Sequence, residues 1–230
     1  MKKMEVTIMN YVINVKKIED DTNVLARATV VFNDCFKVTN IGIIQSVTGD
    51  MFVSMPSYRT SEKDENGKSI YKEFCYPTTK EFRQELYGNI LKAYESEEQQ
   101  LKVGESGKAD PKFEVAITPY EKEGSRIKAL GRVYLEDVFL INNVFLYEGK
   151  NDVFVSMPSH KTNKVDDNGK PVYADVCYPV TKEFREKLYD TIFKKYREVS
   201  RDKEETVNKD EKKDLEKEPK KEPKSKKRGK

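Results

Sequence analysis

One feature constrains this chain before any other: it is written twice. Phe52-Val53-Ser54-Met55-Pro56-Ser57 recurs as Phe154-Val155-Ser156-Met157-Pro158-Ser159, an offset of 102. The same offset pairs Asn66-Gly67-Lys68 with Asn168-Gly169-Lys170, Cys75-Tyr76-Pro77 with Cys177-Tyr178-Pro179, and Lys80-Glu81-Phe82-Arg83 with Lys182-Glu183-Phe184-Arg185. From Phe52 to Tyr94, 25 of 43 aligned positions are identical, too many for chance. Upstream the offset is 103, joining Asp34 to Asp137, Phe36 to Phe139 and Asn40 to Asn143, so one residue has been lost near Gly49. Self-similarity at this scale means that the folding unit is one copy, repeated. The expected division is copy one at 1–95, a linker at 96–111, copy two at 112–199 and a tail at 200–230.

Within a copy, hydrophobic patterning predicts an α+β fold: a small antiparallel sheet followed by one helix. Residues 4–15 and 23–32 are rich in Val, Ile, Thr and Tyr, as strands are. A turn at Asn33-Asp34 leads to a third strand over 36–47, and Gly49-Asp50 opens a short strand over 51–55 that Pro56 ends. Residues 57–69 are polar and hold the turn signal Asn66-Gly67, so they read as a loop before a last strand over 70–76 that closes the sheet. Copy two predicts strands near 112–120, 126–135, 138–147, 152–157 and 172–178. After Pro77, Thr78-x-x-Glu81 fits a capping box; in copy two Thr181 is the expected cap. Phe82, Leu86, Ile90 and Tyr94 then repeat at four-residue spacing, matched by Phe184, Leu188, Ile192 and Tyr196. Such a stripe is one helix face laid on the sheet.

Composition narrows the chemistry. With 37% hydrophobic and 36% charged residues, part of the chain is expected to lie outside any core. Residues 96–111 lack apolar periodicity and read as a linker, and residues 200–230, nearly free of large apolar side chains, read as disordered, with room for some helix to continue past Val199. No stretch approaches the roughly 18 apolar residues that a membrane helix needs, and the N-terminus lacks a signal-peptide pattern, so no membrane insertion and a cytoplasmic location are expected. Three widely spaced cysteines (Cys35, Cys75, Cys177) and one histidine, His160, argue against a disulfide framework, a metal centre or a histidine-dependent enzyme. Cys75 and Cys177 read as small buried residues and His160, aligned with Tyr58, as a surface residue. No cofactor is expected.

Several of these residues carry a resemblance. Phe-Val-Ser-Met-Pro-Ser-x-(Lys/Arg)-Thr at Phe52 to Thr60 and Phe154 to Thr162, then Tyr76-Pro77, Arg83 and Tyr94 with Tyr178-Pro179, Arg185 and Tyr196, together resemble the SpoVG family of small bacterial proteins. The resemblance implies an antiparallel sheet with a C-terminal helix that dimerises through sheet edges. It also implies a regulator of septation, sporulation and gene expression that binds DNA or RNA, not an enzyme. This chain departs in having two copies, in a tyrosine before the helix proline where histidine is common, and in a longer, more acidic loop after Thr60. Two copies could pair inside one chain or between chains.

Candidate phosphate contacts follow from residue type. Arg83 and Arg185 sit at equivalent places in the first helical turn, and Arg59 and Lys161 at equivalent places after the Met-Pro-Ser element. The tail tip adds Lys226, Lys227 and Arg228 within a run of seven basic residues and one acid from Pro219 to Lys230. Such a run attracts nucleic-acid backbones without regard to sequence. The two copies themselves are near neutral, at net −2 over 1–100 and +1 over 101–199. That balance keeps open an alternative: a protein-interaction module that recruits division or regulatory partners through its sheet edges, without touching nucleic acid.

Overall fold

The computed structural model describes residues 9–20, 22–104, 110–150 and 152–215, with residues 202–215 as backbone only. Copy one contains β1 (Tyr11–Lys17), β2 (Val24–Phe32), β3 (Phe36–Gln45) and β4 (Met51–Ser54), paired in sequence order as an antiparallel meander. A separate hairpin follows, β5 (Ser57–Lys63) with β6 (Ser69–Glu73), then β7 (Cys75–Pro77), α1 (Lys80–Glu95) and β8 (Gln100–Val103). Copy two repeats this with β9 (Phe113–Pro119), β10 (Ile127–Leu135), β11 (Phe139–Glu148), β12 (Val153–Ser156), β13 (Ser159–Val165), β14 (Pro171–Asp175), β15 (Cys177–Pro179) and α2 (Lys182–Leu215). The α+β reading holds for both copies.

Each sheet buries one face. Along β1 Tyr11, Ile13 and Val15 are buried, and along β2 Ala26, Ala28, Val30 and Phe32, the period of two that a half-covered strand requires. The helix supplies the cover: Phe82, Leu86, Ile90 and Ala93 of α1 are buried, as are Phe184, Leu188 and Ile192 of α2. Each fully buried side chain of this size is worth roughly 1.5–3 kcal/mol relative to exposure. Among the described residues, the opposite face of each sheet carries no helix.

The copies are joined by exchanged strands. In β3 the outer edge has two partners: Gly42 to Gln45 pair with β4 of the same copy, and Phe36 to Val38 with β15 of copy two. In β11 the same division gives β12 one half and β7 of copy one the other, with Cys75 opposite Ile141. Loop hydrogen bonds extend both seams: Thr39 N–H donates to Val176 C=O at 2.8 Å and Asn142 N–H to Phe74 C=O at 2.7 Å. Phenylalanine rings close the interior between the copies, with Phe32 and Phe139 centroids 4.9 Å apart and Phe36 and Phe184 6.4 Å apart. The two copies share a single core.

Four local expectations are corrected. The polar segment 57–69 is a loop only around Asp64 to Lys68; its first half is β5, paired with β6 as an arm standing apart from both sheets. The last strand does not close its own sheet. It breaks at Phe74, whose N–H is held by Pro56 C=O at 2.9 Å and whose ring packs on Tyr58 at 4.8 Å, and β7 then crosses to the other copy. Part of the expected linker is β8, whose Leu101 and Val103 pack on the core while it covers the edge of β1. Two apolar residues alternating in a polar run are too few to register as a strand. The segment expected to be disordered begins as helix: α2 continues past Val199 as far as Leu215, because this stretch is rich in Lys and Glu and holds no Gly or Pro. Residues 216–230 lie outside the described residues.

The cap also shifts by one residue. Thr79 is the N-cap of α1, its Oγ1 accepting from Phe82 N–H at 3.2 Å, as Thr181 accepts from Phe184 N–H at 3.3 Å. Thr78 instead donates its hydroxyl to Asp137 C=O across the copy boundary at 3.0 Å. It serves the exchange seam.

Candidate nucleic-acid interface

The strand exchange creates the candidate site. Where β3 changes partner, Asn40 takes a left-handed backbone (φ 61°), and Asn143 does so in β11 (φ 57°). Asparagine tolerates this region far better than branched residues do. Each kink accompanies a register shift in the neighbouring strand pair, between Ala28 and Val30 and between Gly131 and Val133. It also sets an amide at the floor of a cleft. The arm of one copy overhangs the uncovered sheet face of the other, so there are two such clefts.

They differ. Under the copy-one arm the cleft is about 780 Å³, and its walls are Tyr58, Lys72, Glu73 and Tyr76 from the arm side and Arg132, Asn142, Asn143 and Phe145 from the copy-two sheet. Under the copy-two arm it is about 490 Å³, with Arg27, Asn40, Phe74 and His160 among its walls. His160 is half-buried there, Nε2 3.5 Å from Asn40 Nδ2, which corrects its reading as a surface residue. Burial holds the Glu73 carboxyl above its ordinary range, with the Arg83 charge opposing it. Burial also pushes the Tyr87 hydroxyl up to about 12 and the Cys35 thiol up to about 12. Cys75 and Cys177 are fully buried, and burial, then the neighbouring Cys75 sulfur, hold the Cys177 thiol protonated. Cys177 is therefore not poised for nucleophilic work.

The sequence-predicted cations fall elsewhere. Arg83 Nη2 donates to Pro77 C=O and Arg185 Nη2 to Pro179 C=O, each at 3.2 Å, so each guanidinium ties the helix to the exchanged strand before it. Arg59 lies exposed on β5 opposite Tyr71, and Lys161 exposed on β13 opposite Tyr173. None of the four lines either cleft. Lys226, Lys227 and Arg228 lie outside the described residues. The residues that sequence reasoning missed are Lys72, Arg132, Asn143 and Phe145. The available signal was divergence between copies: Arg132 and Phe145 stand where copy one has Thr29 and Gly42. Among the described residues there is no cluster of His, Cys, Asp and Glu fit to hold a metal ion, and no helix long and apolar enough to cross a membrane.

Comparison with known proteins matches this organisation. The SpoVG family model matches twice, over residues 4–96 and 111–198. Septation protein SpoVG of Alkaliphilus oremlandii is 33% identical over 95 residues, which is 41% of this chain and 95% of the relative. The protein of the same name from Agathobacter rectalis is 30% identical over 84 residues, 36% of this chain and 88% of the relative. That from Acholeplasma laidlawii is 34% identical over 74 residues, 32% of this chain and 72% of the relative. Each alignment takes in most of the relative and well under half of this chain, so one relative corresponds to one copy. With its family match occupying both copies and most of its length, the chain belongs to the SpoVG family and carries the family's domain twice.

Proposed function

We propose that this protein is a cytoplasmic regulator in septation or sporulation that acts by binding DNA or RNA, with its two copies paired inside one chain as a single binding body. The observation that carries the reading is the reciprocal strand exchange, β7 onto β11 and β15 onto β3. It holds two matching arms and the first turns of two helices on one shared frame, with Arg59 and Lys161 exposed at matching places. Nucleic-acid backbones present charge at regular intervals, and paired cations on a fixed frame suit them. The family's septation role is the functional context, and a binding body with buried, protonated cysteines fits regulation better than turnover. One observation favours a second reading, recruitment of protein partners: the two copies are near neutral.

Fluorescence anisotropy with labelled DNA and RNA, single-stranded and duplex, at two salt concentrations tests the proposal. Binding that weakens with salt, and weakens further in Arg59→Ala/Lys161→Ala, is expected. Absence of binding to all four probes refutes it and leaves the partner-recruiting reading.

A further inference from the structure

The uncovered face of copy two carries rings that the fold does not need. Phe145 and Tyr147 lie 5.7 Å apart on β11, and Tyr147 stacks on Phe154 of β12 at 5.7 Å with planes 27° apart. Phe154 is 46% exposed. The row starts in the larger cleft, where Phe145 faces the arm of copy one, and runs outward over open sheet. In copy one the first two places are Gly42 and Ile44, and only Phe52 remains of the row. There the guanidinium of Arg27 lies over Gly42, 3.4 Å from where a Cβ would stand, and fills the space of the missing ring. Both copies fold with the same topology, so the row is not a requirement of the fold.

We infer that the cleft and the ring row of copy two form a binding track for an unpaired stretch of nucleic acid. One base enters the cleft and the following bases stack along Tyr147 and Phe154. This deepens the proposed nucleic-acid function and rests on it. The chemistry selects the occupant. Rings at successive positions accept the flat faces of bases, which a duplex keeps hidden and a single strand offers. The Asn143 amide, placed by the left-handed kink, presents both a donor and an acceptor to a base edge. Arg132 supplies charge for phosphates on the copy-two wall, and Lys72, whose ammonium also meets Glu62 at 3.5 Å, adds a cation on the arm wall. A peptide joining this protein by strand addition would need a free strand edge, whereas the row lies on a face. The cleft exists only where the copies are paired, because its walls come from both.

The test is anisotropy of the full chain with a labelled oligouridylate, an oligothymidylate and a blunt duplex, in wild type, Phe154→Ala, Tyr147→Ala and the copy-one control Phe52→Ala. Loss of one stacking ring corresponds to roughly 5- to 150-fold weaker single-strand binding. The expected result is that loss for Phe154→Ala and Tyr147→Ala, with Phe52→Ala within about twofold of wild type on the same scale. Photo-crosslinking of a thiouridine-substituted oligomer to wild type gives a readout independent of variant folding, with adducts expected at Phe145, Tyr147 or Phe154. If single strands bind but neither ring variant matters and crosslinks map elsewhere, the track is wrong while the nucleic-acid function stands. If no nucleic acid binds, the function and the track fall together.

Discussion

Replacing Phe139 by alanine removes a fully buried ring at the boundary between the copies. Phe139 belongs to copy two by sequence, yet its aromatic partner is Phe32 of copy one, 4.9 Å away, and Phe32 in turn packs edge-on to Tyr11 at 5.9 Å. A buried Phe→Ala change costs about 3–5 kcal/mol, transfer and cavity together. Against a typical domain stability of about 5–15 kcal/mol, that is a substantial share. Because both copies line the cavity, the cost must fall on both. Urea unfolding should therefore show one transition moved to lower denaturant, with its slope unchanged. Native-state hydrogen exchange resolves the copies: amides of Ile13 and Val30 in copy one should lose as much protection as those of Val133 and Ile141 in copy two. A double-mutant cycle with Phe32→Ala should give a coupling of roughly 0.5–1.5 kcal/mol for the ring pair. Two separate transitions, with copy-one amides unchanged, would refute the shared core.

Three further outcomes follow from local geometry. Thr79→Ala should cost about 1 kcal/mol of stability through loss of the cap to Phe82 N–H, measured by thermal or urea unfolding, whereas Glu81→Gln should leave stability within about 0.5 kcal/mol. Asn40→Ala should destabilise by roughly 1–2 kcal/mol because the site is left-handed, and Asn40→Gly should not; equal losses would mean that the amide rather than the backbone matters. Burial raises the Cys35 thiol from 9.0 to about 12 and the Tyr87 hydroxyl from 10.0 to about 12. The unfolded chain then releases these protons first, so their contribution to stability is complete below pH 9.0 and is lost as pH climbs toward about 12. A urea midpoint that stays flat through that window would contradict this.

Much of the architecture was legible because it rests on periodicity. The alternation of Ile13, Val15, Ala28 and Val30 and the four-residue stripe of Phe82, Leu86 and Ile90 appear directly in residue order. The duplication itself was plain in residue order. The fate of Cys75-Tyr76-Pro77 was not legible: a three-residue strand carries the same pattern whichever sheet it joins, and the choice depends on edges distant in sequence. The polar arm was missed for a related reason. Its strands pair only with each other and bury little, so Ser57 to Lys63 shows no apolar alternation. The cations chosen by residue type, Arg83 and Arg185, turn out to hold carbonyls, while Arg132 and Phe145 were visible only as places where the copies disagree.

The exchanged strands pair the two copies within one chain. Light scattering of the full protein across a dilution series tests it directly. A mass of 26.7 kDa is expected at every concentration, because both sheet seams are filled from within the chain. A dimer of twice that mass that persists on dilution would contradict it, placing the exchanged strands between chains instead.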